Sequence, residues 1–194
     1  MGLASIPLVG PPLAIALAEL ELRHLSSRLE ALITELREAI DRVDRTKVDH
    51  VFLETPAFTD IVIAGLDAAR RTSDRDKLSL LASILAGATT VERPHGLDVE
   101  GLLVAIRDLP PSALQLAWAM QRAGQATPYS ILERYQVPPD WPDGDFMMGR
   151  LIAAGLARGF QGDGMTFQPG GYQLTGTWDR LVRLAEQGGW QQPV

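Results

Sequence analysis

The sequence predicts a mainly α protein in two parts. Residues 1–111 read as a helical bundle with a long heptad helix and an apolar N-terminal arm, residues 112–194 as a winged-helix-like α+β domain. Three observations predict this. Apolar residues recur in steps of three and four from Ile15 to Val43, the spacing of a helix seam. Pro110-Pro111 interrupts the helical pattern between the halves. Beyond it come three helices and then a β-ribbon, the order of a winged helix, a helix-turn-helix relative.

With 194 residues, 46% hydrophobic and 22% charged, the chain has the composition of an ordered protein with an adequate core. Met1 to Ala18 carry no charged side chain, and Ile6 to Pro12 is apolar and rigid. Ala16-Leu17-Ala18 imitates a signal-cleavage site, but no Lys or Arg precedes the apolar run. A membrane span needs about 20 continuous apolar residues, and prolines interrupt this stretch. The arm is therefore expected to pack on the body or on a second copy. A membrane-touching segment at residues 3–18 is the alternative, set against the missing basic face of interfacial helices.

The long helix is expected from Leu13 to about Val43. Its seam is Ile15, Ala18, Leu22, Leu25, Leu29, Leu32, Leu36, Ala39 and Val43, and Leu22, Leu25, Leu29, Leu32 and Leu36 are candidate interaction residues. Ile33 and Ile40 widen the stripe, so the helix should pack against more than one neighbour. Thr55-Pro56 starts a second helix as N-cap and first residue, running to about Arg71. Ser73 is expected to cap a third, with Leu78, Leu81, Ala82, Ile84 and Leu85 as its apolar face and Gly87 as its end. A fourth spans about Asp98 to Leu109.

In the second half, a helix is expected from Ala113 to Ala123, a short one from Thr127-Pro128 to Arg134, and a third from Gly144 to Ala154 closed by Gly155. Leu156–Phe160 and Met165–Gln168 read as two strands about a hairpin at Gly162-Asp163-Gly164. A last helix from Gly176 to Gln187 ends at Gly188-Gly189.

The residues supply no catalytic, cofactor-binding or metal constellation. There is no cysteine, no Gly-x-Ser-x-Gly elbow, and neither Lys47 nor Lys77 follows glycine as a P-loop requires. His24, His50 and His95 fall in separate segments without metal-helix spacing. Asp41, Asp44, Asp49, His50 and Glu54 make an acidic end to the long helix. Arg42, Arg45 and Lys47 are interleaved and point to a solvated face rather than a cation site.

Charge weighs against nucleic acid. The chain carries a net −6, and from Ser112 onward six arginines face seven carboxylates. The helix in the base-reading position opens with Asp143 and Asp145 and has one arginine, Arg150. Arg150, with Arg158 on the wing, is the expected contact if DNA is bound. Trp118, Phe146, Met147, Met148, Phe160, Phe167, Tyr172 and Trp178 read as core, while Trp141 and Trp190, beside proline or glycine, read as surface anchors.

Four segments carry a family resemblance. They are Ile6-Pro7-Leu8-Val9-Gly10 ahead of the long helix, Thr55-Pro56-Ala57-Phe58, the run from Arg71 to Ala88, and the Leu-Pro-Pro junction between Ala105 and Leu114 leading to Tyr172-Gln173-Leu174-Thr175. Together they resemble the bacterial abortive-infection alpha family, with Pro11-Pro12 departing from its more usual glycines. The resemblance implies an association with phage defence and supplies no catalytic residues. The expected function is that of a non-enzymatic, cytoplasmic interaction or sensing protein, homo-oligomeric through the arm and long helix. A DNA-binding transcriptional regulator and a membrane-acting effector are the alternatives.

Overall fold

The computed structural model describes the backbone of residues 11–94, 96–123, 127–128, 144–160 and 171–191, with side chains from His24 onward except at 127, 128, 145 and 160. It is mainly helical, with eight α-helices among the described residues and a small antiparallel sheet. The first helix, α1, spans Pro11–Arg42, starting at the proline pair because proline suits a first helical turn whose N–H groups are unpaired. A 3-10 turn at Arg45–Lys47 and the short α2, His50–Leu53, follow. Asp44 accepts from the Thr46 N–H and Asp49 from the Phe52 N–H, so part of the acidic end of α1 consists of caps.

Thr55 caps α3, Pro56–Arg70, by accepting from the Phe58 N–H, as its Thr-Pro signal predicts. The next helix, α4, spans Arg75–Ala88 and is capped by Asp74 rather than Ser73. The Asp74 carboxylate accepts from the Lys77 N–H at 2.8 Å, and its own N–H donates to Thr72 Oγ1. A charged acceptor one residue on thus displaces the hydroxyl expected from the sequence. Asp98 caps α5, Val99–Asp108, through the Gly101 N–H.

Beyond the proline junction, α6 covers Pro111–Ala123, β1 Thr127–Pro128, α7 Gly144–Ala153, β2 Ala157–Phe160, β3 Gly171–Leu174 and α8 Gly176–Gln187. Gly155, at φ +70°, turns the chain from α7 into β2. The sheet order is β1-β3-β2, antiparallel throughout. Thr127-Pro128, expected to start a helix, forms an edge strand, where the missing proline N–H costs no ladder bond; the rest of that expected helix, to Arg134, lies outside the described residues. Strand β2 pairs with β3, with Phe160 opposite Gly171, and the expected strand at Met165–Gln168 with its hairpin at Gly162-Asp163-Gly164 lies outside the described residues.

At the centre lies α4, buried without interruption from Leu80 to Ala88, with α1, α3, α5 and α8 packed around it. Helix α8 meets it through Gly87 and Gly188, so Gly87 is a packing residue inside the helix and not its terminator. One apolar cluster runs across the Pro110-Pro111 junction, joining Leu81, Leu103 and Ile106 to Leu116, Met147, Leu151 and Leu184. Trp118 is its aromatic hub, 4.4 Å from the rings of both Trp178 and Trp190.

Candidate interaction surface

The long helix divides its apolar residues between two directions. Leu32, Ala39 and Val43 are buried toward the body, Leu25 is half-buried, and Leu22 lies outside the described side chains. Leu29 and Leu36 are half-buried at the edge of that contact. Ile33 and Ile40, expected to meet a further neighbour, are instead 48% and 46% exposed. Their neighbours on the other flank are engaged: Arg28 donates to the Arg70 carbonyl at 2.8 Å, and Glu35 faces Arg75. The stripe is wider than α3 and α4 together can cover.

A second apolar face lies on α7. Met147, Met148 and Leu151 turn inward, which at 100° per residue leaves Phe146, Gly149, Arg150 and Ala153 outward with Ile152 beside them. Phe146, expected in the core, is 58% exposed. The reason is helical phase: the two methionines and Leu151 occupy the inward arc, and position 146 falls opposite them.

Arg150 and Arg158, the expected nucleic-acid contacts, both have intramolecular partners. Arg150 Nη2 donates to the Asp108 carbonyl, tying α7 to the end of α5. Arg158 stands opposite Gln173 across the β2–β3 pair, and with the Gln173 amide oxygen turned toward it, Arg158 Nε and Nη2 both donate there. Trp141 lies outside the described residues. Trp190, expected as a surface anchor, is buried and stacked on Trp118. The chain turns at Gly189, φ +81°, and sends the indole back over α6.

Sequence reasoning missed a polar knot at the end of α5. Lys77 is buried on α4, and its Nζ donates to the carbonyls of Arg107 at 3.0 Å and Leu109 at 2.6 Å. Burial pushes its ammonium down to about 8, against the opposing pull of Asp74 and Asp108. Hydrogen bonds from Arg107 hold the Asp108 carboxyl below its usual range, and Arg107 also reaches Asp67 at 2.8 Å. The ammonium is committed to the C-terminal carbonyls of α5, the place a helix dipole favours a cation. Its one advance signal was a lysine within an otherwise apolar helix face.

A cleft of about 330 Å³ lies between α3 and the start of α5, lined in part by Phe52, Asp60, Arg93, Asp98 and Glu100. Arg93 is held 3.9 Å over the Phe52 ring and 2.8 Å from Asp49, whose carboxyl it holds below the usual range. Among the described residues no group of three His, Asp or Glu side chains is placed to hold a metal ion. None of the described helices is long and apolar enough to cross a membrane. Compared with protein-family models, with characterised proteins and with solved structures, the chain matches nothing.

Proposed function

We propose that this chain is a non-enzymatic bacterial interaction and sensing protein, acting by self-association and by contact with a protein partner. The observation that carries the reading is the half-exposed pair Ile33 and Ile40, one heptad apart on α1 and bordered by half-buried Leu29 and Leu36. Covering the exposed half of each isoleucine is worth about 1 kcal/mol, which favours a second macromolecule over water at this face. The role in phage defence and the cytoplasmic setting are part of the proposal. They rest on the family resemblance and on a cysteine-free sequence that suits a reducing compartment.

The tail reads as winged-helix-like, supported by the order α6-β1-α7-β2-β3 of the elements among the described residues, with β3 between the other strands. In that reading α7 holds the position of a recognition helix. Its outward Phe146, Gly149 and Ala153 suit a protein surface better than base edges and phosphates. A DNA-binding regulator is the second reading, favoured by exposed Arg158 on the strand next to the expected wing.

Sedimentation equilibrium at micromolar concentrations tests the proposal. The chain should associate reversibly, and Ile33→Glu/Ile40→Glu should be monomeric with an unchanged helical circular dichroism spectrum. A wild-type chain that stays monomeric throughout would sink the reading.

A further inference from the structure

Two apolar seams overlap on α1. One consists of Leu25, Leu32, Ala39 and Val43 and faces the body. The other is Leu29, Ile33, Leu36 and Ile40, in steps of four, three and four, which are the alternating d and a positions of a coiled coil. This second seam is about 17 Å long at 1.5 Å per residue. It stops at exposed, polar Ser26, the next a position toward the N-terminus.

With Ile33 and Ile40 at a, the flanking e positions are Glu30 and Arg37. Both are exposed, and neither has an ion-pair partner among the described residues. The opposite flank, position g, is Leu32 and Ala39, both buried against the body.

We propose that α1 pairs antiparallel with α1 of a second copy along this outer seam. Leu29 lies against the partner's Ile40 and Ile33 against the partner's Leu36, giving four layers about a two-fold axis. The inference rests on the self-association reading above and adds to it a surface, a direction and a register.

Charge decides the direction. In an antiparallel pair the e positions of the two helices adjoin, so Glu30 meets the partner's Arg37 and Arg37 meets the partner's Glu30. In a parallel pair each e position adjoins a g position, and here g is apolar and already buried. The two unpaired charges would then find no opposite charge across the seam. Only the antiparallel arrangement satisfies both the apolar seam and the charges beside it, and its two-fold symmetry closes the assembly at a dimer.

The test is a charge-swap series read by sedimentation equilibrium. Glu30→Arg alone sets arginine against arginine at both e contacts, and Arg37→Glu alone sets carboxylate against carboxylate. Each should weaken the dimer about tenfold. An equimolar mixture of the two variants should recover wild-type affinity as a heterodimer, and so should Glu30→Arg/Arg37→Glu by itself. A second readout uses the absence of native cysteine. Ile33→Cys mixed with Leu36→Cys should form the mixed disulfide ahead of either self-disulfide. Association that is lost in Ile33→Glu/Ile40→Glu but indifferent to the charge swaps, with self-disulfides dominant, would overturn the antiparallel register and leave self-association standing. A wild-type chain with no association at all would overturn both.

Discussion

Gly87 and Gly188 hold α4 and α8 in backbone contact. A Cβ built on Gly188 would lie 1.9 Å from the Ser83 carbonyl oxygen, and one on Gly87 would lie 1.9 Å from the Leu184 carbonyl oxygen. Both obstacles are backbone atoms, so neither can swing aside. Gly87→Ala or Gly188→Ala must therefore push the helices apart, at a cost of about 3 kcal/mol. Gly155→Ala is the contrast. Its φ is +70° but nothing lies within 4 Å of the added carbon, so it should cost about 1 kcal/mol from backbone strain alone. Thermal unfolding of the three variants checks this ranking, and equal losses would refute the close approach.

Lys77 predicts an alkaline gain in stability. Its ammonium titrates at about 8 in the fold, below the usual 10.5. Between those values the unfolded chain holds a proton that the folded chain has released, so unfolding free energy rises with pH across that window. At 1.36 kcal/mol per pH unit the gain is at most about 3 kcal/mol. Urea midpoints measured at pH about 8 and about 10 should show the rise in the wild type and not in Lys77→Met. Identical pH slopes in both would assign the effect to another group.

Trp190 is a structural residue. It closes the stack on Trp118, while Trp178 Nε1 donates to Gln121 Oε1 at 3.0 Å on the other side. Trp190→Ala should cost about 3 kcal/mol and weaken the near-ultraviolet circular dichroism of the coupled indoles. Unchanged stability would return Trp190 to the surface role its flanking glycines suggest.

Arg150 fastens α7 to the carbonyl of Asp108. Arg150→Ala should lower stability by about 1 kcal/mol, the net worth of such a bond. Neither it nor Arg158→Ala should alter retention of duplex DNA in low salt, which the net charge of −6 keeps weak. A salt-sensitive gel shift abolished by either substitution would favour the regulator reading instead.

Local chemistry made much of this chain legible in advance. The cap at Thr55-Pro56 and the periodicity of α1 follow from side-chain preferences acting within one or two turns. The widened stripe on α1, with Ile33 and Ile40 beside the seam, was likewise visible in the one-dimensional pattern.

Tertiary packing decided which of those apolar positions are covered. Periodicity reports an apolar face but not how many helices are available to bury it, and α3 and α4 stop short of Ile33 and Ile40. The same limit applies to Trp190 and Phe146, where the path of the chain at Gly189 and the inward arc of α7 exchanged the expected surface and core residues. Burial of Lys77 depended on α5 ending beside α4, a relationship between residues 30 and 32 apart that no local pattern encodes. Contacts within a turn are written in neighbouring residues, while burial depends on the arrangement of the whole chain.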